Sequence, residues 1–187
     1  FKFSFSCYNL KMIENKTGVA FPLSALRTEK SPVVGEFSSL MEFADFAKKS
    51  GFSVIQLLPV LDTGTQSSPY SPLSAFALHP LYINLSEIEH FKICYDKDAT
   101  FRRTYDIFLS HKKDERFNYD FATDTKDFLL RRIFALLSNA THPKKFDKMF
   151  ERLLSFIKEN EDWLPYYCVY KHFKQMFRQA SWKEWEK

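Results

Sequence analysis

The sequence predicts an α/β fold that opens with parallel strands and turns helical in its second half. Three observations carry that expectation. Val54, Ile55, Leu57, Leu58 and Val60 form a short apolar run, rich in β-branched residues and broken by Pro59, which suits a parallel strand covered on both faces. Ahead of it stand a helix-periodic stretch and an earlier apolar run, Gly18 to Leu23, so that strand, helix and strand follow within about forty residues as one βαβ unit. From Asp96 onward the patterning is that of helices.

Taken in order, Phe1, Phe3 and Phe5 alternate with Lys2 and Ser4, the pattern of a short edge strand or ordered lead-in over residues 1–17. Asn15 to Thr17 predict a turn, after which Gly18–Leu23 is the first strand. Ser38 or Ser39 is the expected cap of a helix that presents Leu40, Phe43, Ala44, Phe46 and Ala47, with Lys48 and Lys49 in its last turn and Gly51 as its stop. The second strand then delivers a loop of turn formers, Asp62, Gly64, Ser67, Ser68, Pro69, Ser71 and Pro72, in which Tyr70 is the large side chain. A loop in that position is where α/β enzymes place their sites. Pro80 to Leu85 is a third apolar stretch that closes the loop region. Beyond it, Thr100–Leu109 has helical spacing, and Asp124 is the expected cap of a helix carrying Phe128, Leu129, Ile133, Phe134, Leu136 and Leu137. Lys144 to Asn160 has the clearest apolar period, through Phe146, Met149, Phe150, Leu153, Leu154 and Ile157. Asp162 is the expected cap of a last helix that tolerates Pro165 in its first turn. Stripes of this kind ordinarily face a core.

Composition narrows the function. The hydrophobic fraction of 45% and charged fraction of 27% are those of a soluble globular protein. Aromatic residues reach 18%, which suits either a Phe-rich core or a ligand that stacks on rings. The net charge of +4 is spread without a basic block, so no nucleic-acid partner is expected. No stretch is long and apolar enough for a membrane span, and no leader pattern is visible, so a cytoplasmic location is expected. Cys7, Cys94 and Cys168 are far apart and predict reduced thiols rather than a zinc site or a disulfide framework. His79, His90, His111, His142 and His172 share no metal spacing and read as surface or satisfied core residues. Four glycines make no phosphate loop, and no cofactor is implied. Asp62 stands where a catalytic carboxylate could sit, but an Asp before Thr-Gly more commonly starts a turn.

Several short pieces in one order make a specific signature: Gln56-Leu57-Leu58-Pro59, then Ser68-Pro69-Tyr70, then Ser74-Ala75-Phe76-Ala77 and Pro80. The chain thereby resembles glycoside hydrolase family 77, the 4-α-glucanotransferases, densely up to Leu85 and more thinly to Trp185. Gly18-Val19 echoes the family's first barrel strand, with Phe21 where its members usually carry a His, and Asn118-Tyr119, Trp163-Leu164, Tyr167, Lys171, Trp182 and Trp185 echo it later.

The resemblance implies the first part of a (β/α)₈ TIM barrel, with barrel strands and the active-site loop in residues 18–95 and a helical insertion subdomain in 96–187. A whole barrel takes about 250 residues, so the barrel is expected to be incomplete in this chain. The implied reaction moves α-1,4-glucan segments between maltodextrins by a retaining double displacement, in which one carboxylate attacks and a second serves as acid and then base. Those carboxylates belong to later strands, so no catalytic residue is assigned here. The substrate-binding residues implied are Tyr70, whose ring can cover a pyranose, with Ser68, Ser74 and Phe76 in support. The rival expectation is a non-catalytic helical interaction or glycan-binding module on the same framework.

Overall fold

In a computed structural model the structure describes residues 16–138 and 143–185. The expected lead-in strand at Phe1–Phe5, Cys7 and His142 lie outside the described residues. Two parallel strands, β1 (Gly18–Phe21) and β2 (Val54–Leu57), pair in register from Gly18 opposite Val54 to Phe21 opposite Leu57. Helix α1 (Phe37–Lys49) joins them. After β2 the chain runs through an irregular loop and two 3₁₀ turns, Pro80–Tyr82 and Leu85–Glu87, into α2 (Phe91–Lys97), α3 (Ala99–Ser110), α4 (Tyr119–Ser138), α5 (Pro143–Glu159) and α6 (Leu164–Met176). The described residues thus form a mixed α/β arrangement with one small sheet and a helical second half.

Several helix starts differ from those expected, each for a local chemical reason. The N-cap of α1 is Glu36, whose side chain accepts from the amide of Ser39 while the Ser39 hydroxyl caps back, so Ser39 completes the box from inside the helix. Helix α4 starts a turn and a half before Asp124, because the Asn118 side chain accepts from the amide of Phe121 at 3.0 Å. Trp163, not Asp162, precedes α6. Helix α2 went unpredicted: its seven residues are too few to show a helical period. The Gly51 stop holds, at a φ of +83°.

The core lies between the 80–85 turns and the helices. Leu23, Val33, Val34, Leu81, Tyr82, Phe108 and Ala122 make one buried cluster, and Leu85, Cys94, Phe101, Leu129 and Ile133 make a second. Rings meet rings through this region, Phe91 edge-on to Phe101 and Tyr105, which absorbs many of the aromatic residues into packing. Asp98 caps α3 through the amides of Thr100 and Phe101 and pairs with Arg132 of α4, fixing the two helices together. The expectation that apolar stripes face a core is met by Leu129 and Ile133 and corrected in α5, where Phe150, Leu154 and Phe156 are exposed. Periodicity marks an apolar face without saying what covers it. The two-stranded sheet is likewise partly open, with Val54 exposed rather than covered on both sides.

Lys126 of α4 is fully buried and donates to Glu36, to the carbonyl of Leu81 at 2.5 Å and to that of Ile83 at 2.9 Å. Glu36 also accepts from Ser31 at 2.5 Å. One ammonium therefore ties the start of α1 to the 3₁₀ turn that forms a wall of the site.

Candidate functional site

A cleft of about 580 Å³ opens beyond the C-terminal ends of β1 and β2. Pro22 and Ser24 line it after β1, Leu58, Leu61 and Thr63 after β2, with Ser68, Tyr70 and, from α4, Tyr119.

Local hydrogen bonds shape the loop that bears Tyr70. Its base is closed by the amide of Leu73 donating to the carbonyl of Asp62 at 2.7 Å, and by the amides of Asp62 and His79 donating to Ala77 and Val60 around a single antiparallel bridge, Leu61 with Leu78. At its tip the amide of Ser71 donates to the carbonyl of Ser68, and the Ser68 hydroxyl accepts from the amide of Tyr70 at 3.4 Å. Tyr70 is 68% exposed and lines the cleft. Ser74 accepts from the amides of Phe76 and Ala77, an ST turn that re-aims the chain.

The structure brings Ser68 and Tyr70 into this cleft and carries Ser74 and Phe76 elsewhere. The latter two border a second, shallower depression with Trp163, Tyr166, Tyr167 and Tyr170, where the Phe76 and Trp163 rings stack at 5.5 Å.

Three of the lining residues, Thr63, His79 and Tyr119, belong to one polar network. The amide of Leu81 donates to Nδ1 of His79 at 3.1 Å, so Nδ1 is unprotonated and Nε2 carries the proton, donating to the Tyr119 hydroxyl at 2.8 Å. Tyr119 in turn donates to the carbonyl of Gly64 at 2.9 Å and meets the Thr63 hydroxyl at 3.0 Å. Burial holds His79 below its ordinary pKa, with Asp62 pulling the other way, so the ring is neutral.

Asp62 is completely buried. One oxygen accepts from the amide of Gly64 at 2.8 Å, which makes the turn expected of it; the other accepts from Lys171 and from the Tyr167 hydroxyl, both on α6. Burial alone would raise its pKa, but the bonds from Lys171, Tyr167 and Gly64 outweigh it and leave the carboxyl below its ordinary value. Burial, reinforced by the bond to Asp62, raises the Tyr167 phenol far above its ordinary range. Sequence reasoning missed this long-range role of Asp62. Its one local signal was the spacing of Tyr167 and Lys171, four apart and hence on one face of a helix.

Of the remaining candidates, His90 is buried, whereas His111 is paired with Asp114 at the surface and His172 is exposed. Cys94 is a buried free thiol and Cys168 an exposed one. Among the described residues no group of His, Cys, Asp and Glu could hold a metal ion, and no helix is long and apolar enough to cross a membrane.

Against known proteins, the sequence model of the glycoside hydrolase 77 family, described as 4-alpha-glucanotransferase, matches residues 21–187. The chain belongs to this family. Among curated proteins, it is similar to a 4-alpha-glucanotransferase of Chlamydia caviae, 29% identical over 92% of this chain and 31% of that protein. A 4-alpha-glucanotransferase of Oryza sativa subsp. japonica is 32% identical over 90% of this chain and 17% of its own length. One of Clostridium butyricum is 31% identical over 82% of this chain and 29% of its own. The chain thus spans about a third or less of the length of these glycoside hydrolase 77 relatives.

Proposed function

We propose that this chain is the N-terminal portion of a cytoplasmic 4-α-glucanotransferase that moves α-1,4-glucan segments between maltodextrins by a retaining double displacement. Residues 18–95 supply the first two strands of a TIM barrel and its Tyr70 loop, and 96–187 supply a helical insertion. The observation that carries the reading is the cleft at the C-terminal ends of two parallel strands, in a chain of this family, with an exposed tyrosine lining it. The Tyr70 ring covers a sugar face while its hydroxyl reaches a sugar oxygen or an acidic group, and Ser68 holds the turn that presents it. Ser74 and Phe76 serve the same loop from its far side. The nucleophile and the general acid come from later strands, outside this chain, and an acceptor sugar takes the place of water. Thr63, Tyr119 and His79 form a fixed polar wall that needs no charge change during turnover.

The complete protein incubated with maltotriose should release glucose and build longer dextrins, whereas residues 1–187 alone should do neither. Absence of transfer by the complete protein would overturn the reading, and so would transfer by the segment alone.

A further inference from the structure

Helix α6 supplies no wall of the cleft, yet two of its side chains reach the buried carboxylate at the base of the Tyr70 loop. We propose that Lys171 and Tyr167 are positioning residues: they hold Asp62, and through Asp62 the loop 62–73, so that Tyr70 faces the cleft. This rests on the transferase reading, because it gives Tyr70 a sugar to face.

Asp62 is the joint at which the loop is fixed in space. Its backbone carries two of the bonds that close the loop, from the amide of Leu73 and to the carbonyl of Ala77. Its side chain fixes the next turn through the amide of Gly64. A buried carboxylate stays charged only where donors compensate it, and here two of the three donors to it, beside the Gly64 amide, come from more than 100 residues away in sequence, on α6. Lys171 also lies over the Tyr167 ring at 5.6 Å and bonds its hydroxyl at 3.2 Å, so the pair acts as a unit. Tyr119 pins the same loop from α4 through Gly64 and Thr63, which leaves the α6 contact to set the orientation of the base. The titratable groups facing Asp62 are Lys171 and Tyr167 of α6, Tyr119 of α4 and, at 4.0 Å, the neutral His79.

In the complete protein, Lys171→Met should lower turnover on maltotriose roughly ten- to a hundredfold, the scale of a misplaced binding group. Lys171→Arg, which keeps charge and reach, should restore most of it. The loss should disappear in a Tyr70→Ala background, since a loop without its ring gains nothing from being aimed. With Lys171 gone, Asp62 protonates more readily, so Lys171→Met alone should gain an acid limb in its turnover profile that a purely structural change would not produce. Hydrogen exchange of peptides spanning 62–73 should quicken in the same variant.

Unchanged turnover, losses that multiply with those of Tyr70→Ala, or unchanged exchange in 62–73 would each overturn the proposal. A parent protein inactive on maltotriose would overturn the transferase reading instead. In that event the exchange measurement still decides whether α6 holds the loop.

Discussion

Removing the Tyr70 ring should damage turnover far more than folding. The residue is 68% exposed, so only about a third of it is buried, and truncating a fully buried aromatic costs about 3–5 kcal/mol. Tyr70→Ala should therefore cost about 1–2 kcal/mol of stability, because the loop is held by Asp62, Ser68 and Leu73 rather than by the ring. Contacts that strengthen as the sugar flattens toward an oxocarbenium-like transition state act on rate, and losing one costs roughly 1.5–4 kcal/mol, or about ten- to several-hundred-fold in turnover. The assay is steady-state disproportionation of maltotriose by the complete protein, with melting measured in the same buffer. Tyr70→Phe separates ring from hydroxyl: near-parental rates assign the role to stacking. The reasoning fails if Tyr70→Ala keeps parental kinetics, or if it unfolds at the assay temperature.

Other predictions concern the frame behind the cleft. Lys126→Met strands Glu36 and two carbonyls in the core and should cost about 3–5 kcal/mol in denaturant unfolding, while Lys126→Met with Glu36→Gln should recover much of that. Burial raises the Glu36 pKa more than Lys126 and Ser31 lower it, so its folded value lies above its unfolded one. Its contribution is therefore fully present below the ordinary glutamate value and is lost as pH rises through the folded value. Without Lys126 the folded value climbs further, so the Lys126→Met deficit should be largest near neutrality and shrink toward acid pH; a pH-independent deficit would refute this. Gly35→Ala should cost at least about 3 kcal/mol or prevent folding, since a Cβ there would lie 1.9 Å from the Leu23 carbonyl oxygen and 2.7 Å from that of Leu26. Parental melting in that variant would show that the loop after β1 gives way.

Features that depend on neighbours along the chain were legible before any fold was known. Apolar runs bounded by turn formers placed β1 and β2, Gly51 ended α1, and the cluster around Ser68-Pro69-Tyr70 made an exposed loop, because strand patterning, left-handed caps and turns are set within a few residues. The ordered pieces from Gln56 to Pro80 were enough to indicate the family that the match over residues 21–187 established. Tertiary structure alone decided which side chains meet across long separations. No local pattern distinguishes Lys126 from a solvated lysine until Glu36 and two carbonyls are found around it, and none ranks Asp62 above an ordinary turn residue until Lys171 arrives from the far end of the chain. The apolar face of α5 shows the same limit from the other side, since its period is visible in sequence while its exposure depends on what packs against it. Burial, and with it the energetic weight of a charge or a ring, is a property of the assembled neighbours rather than of the segment that carries the residue.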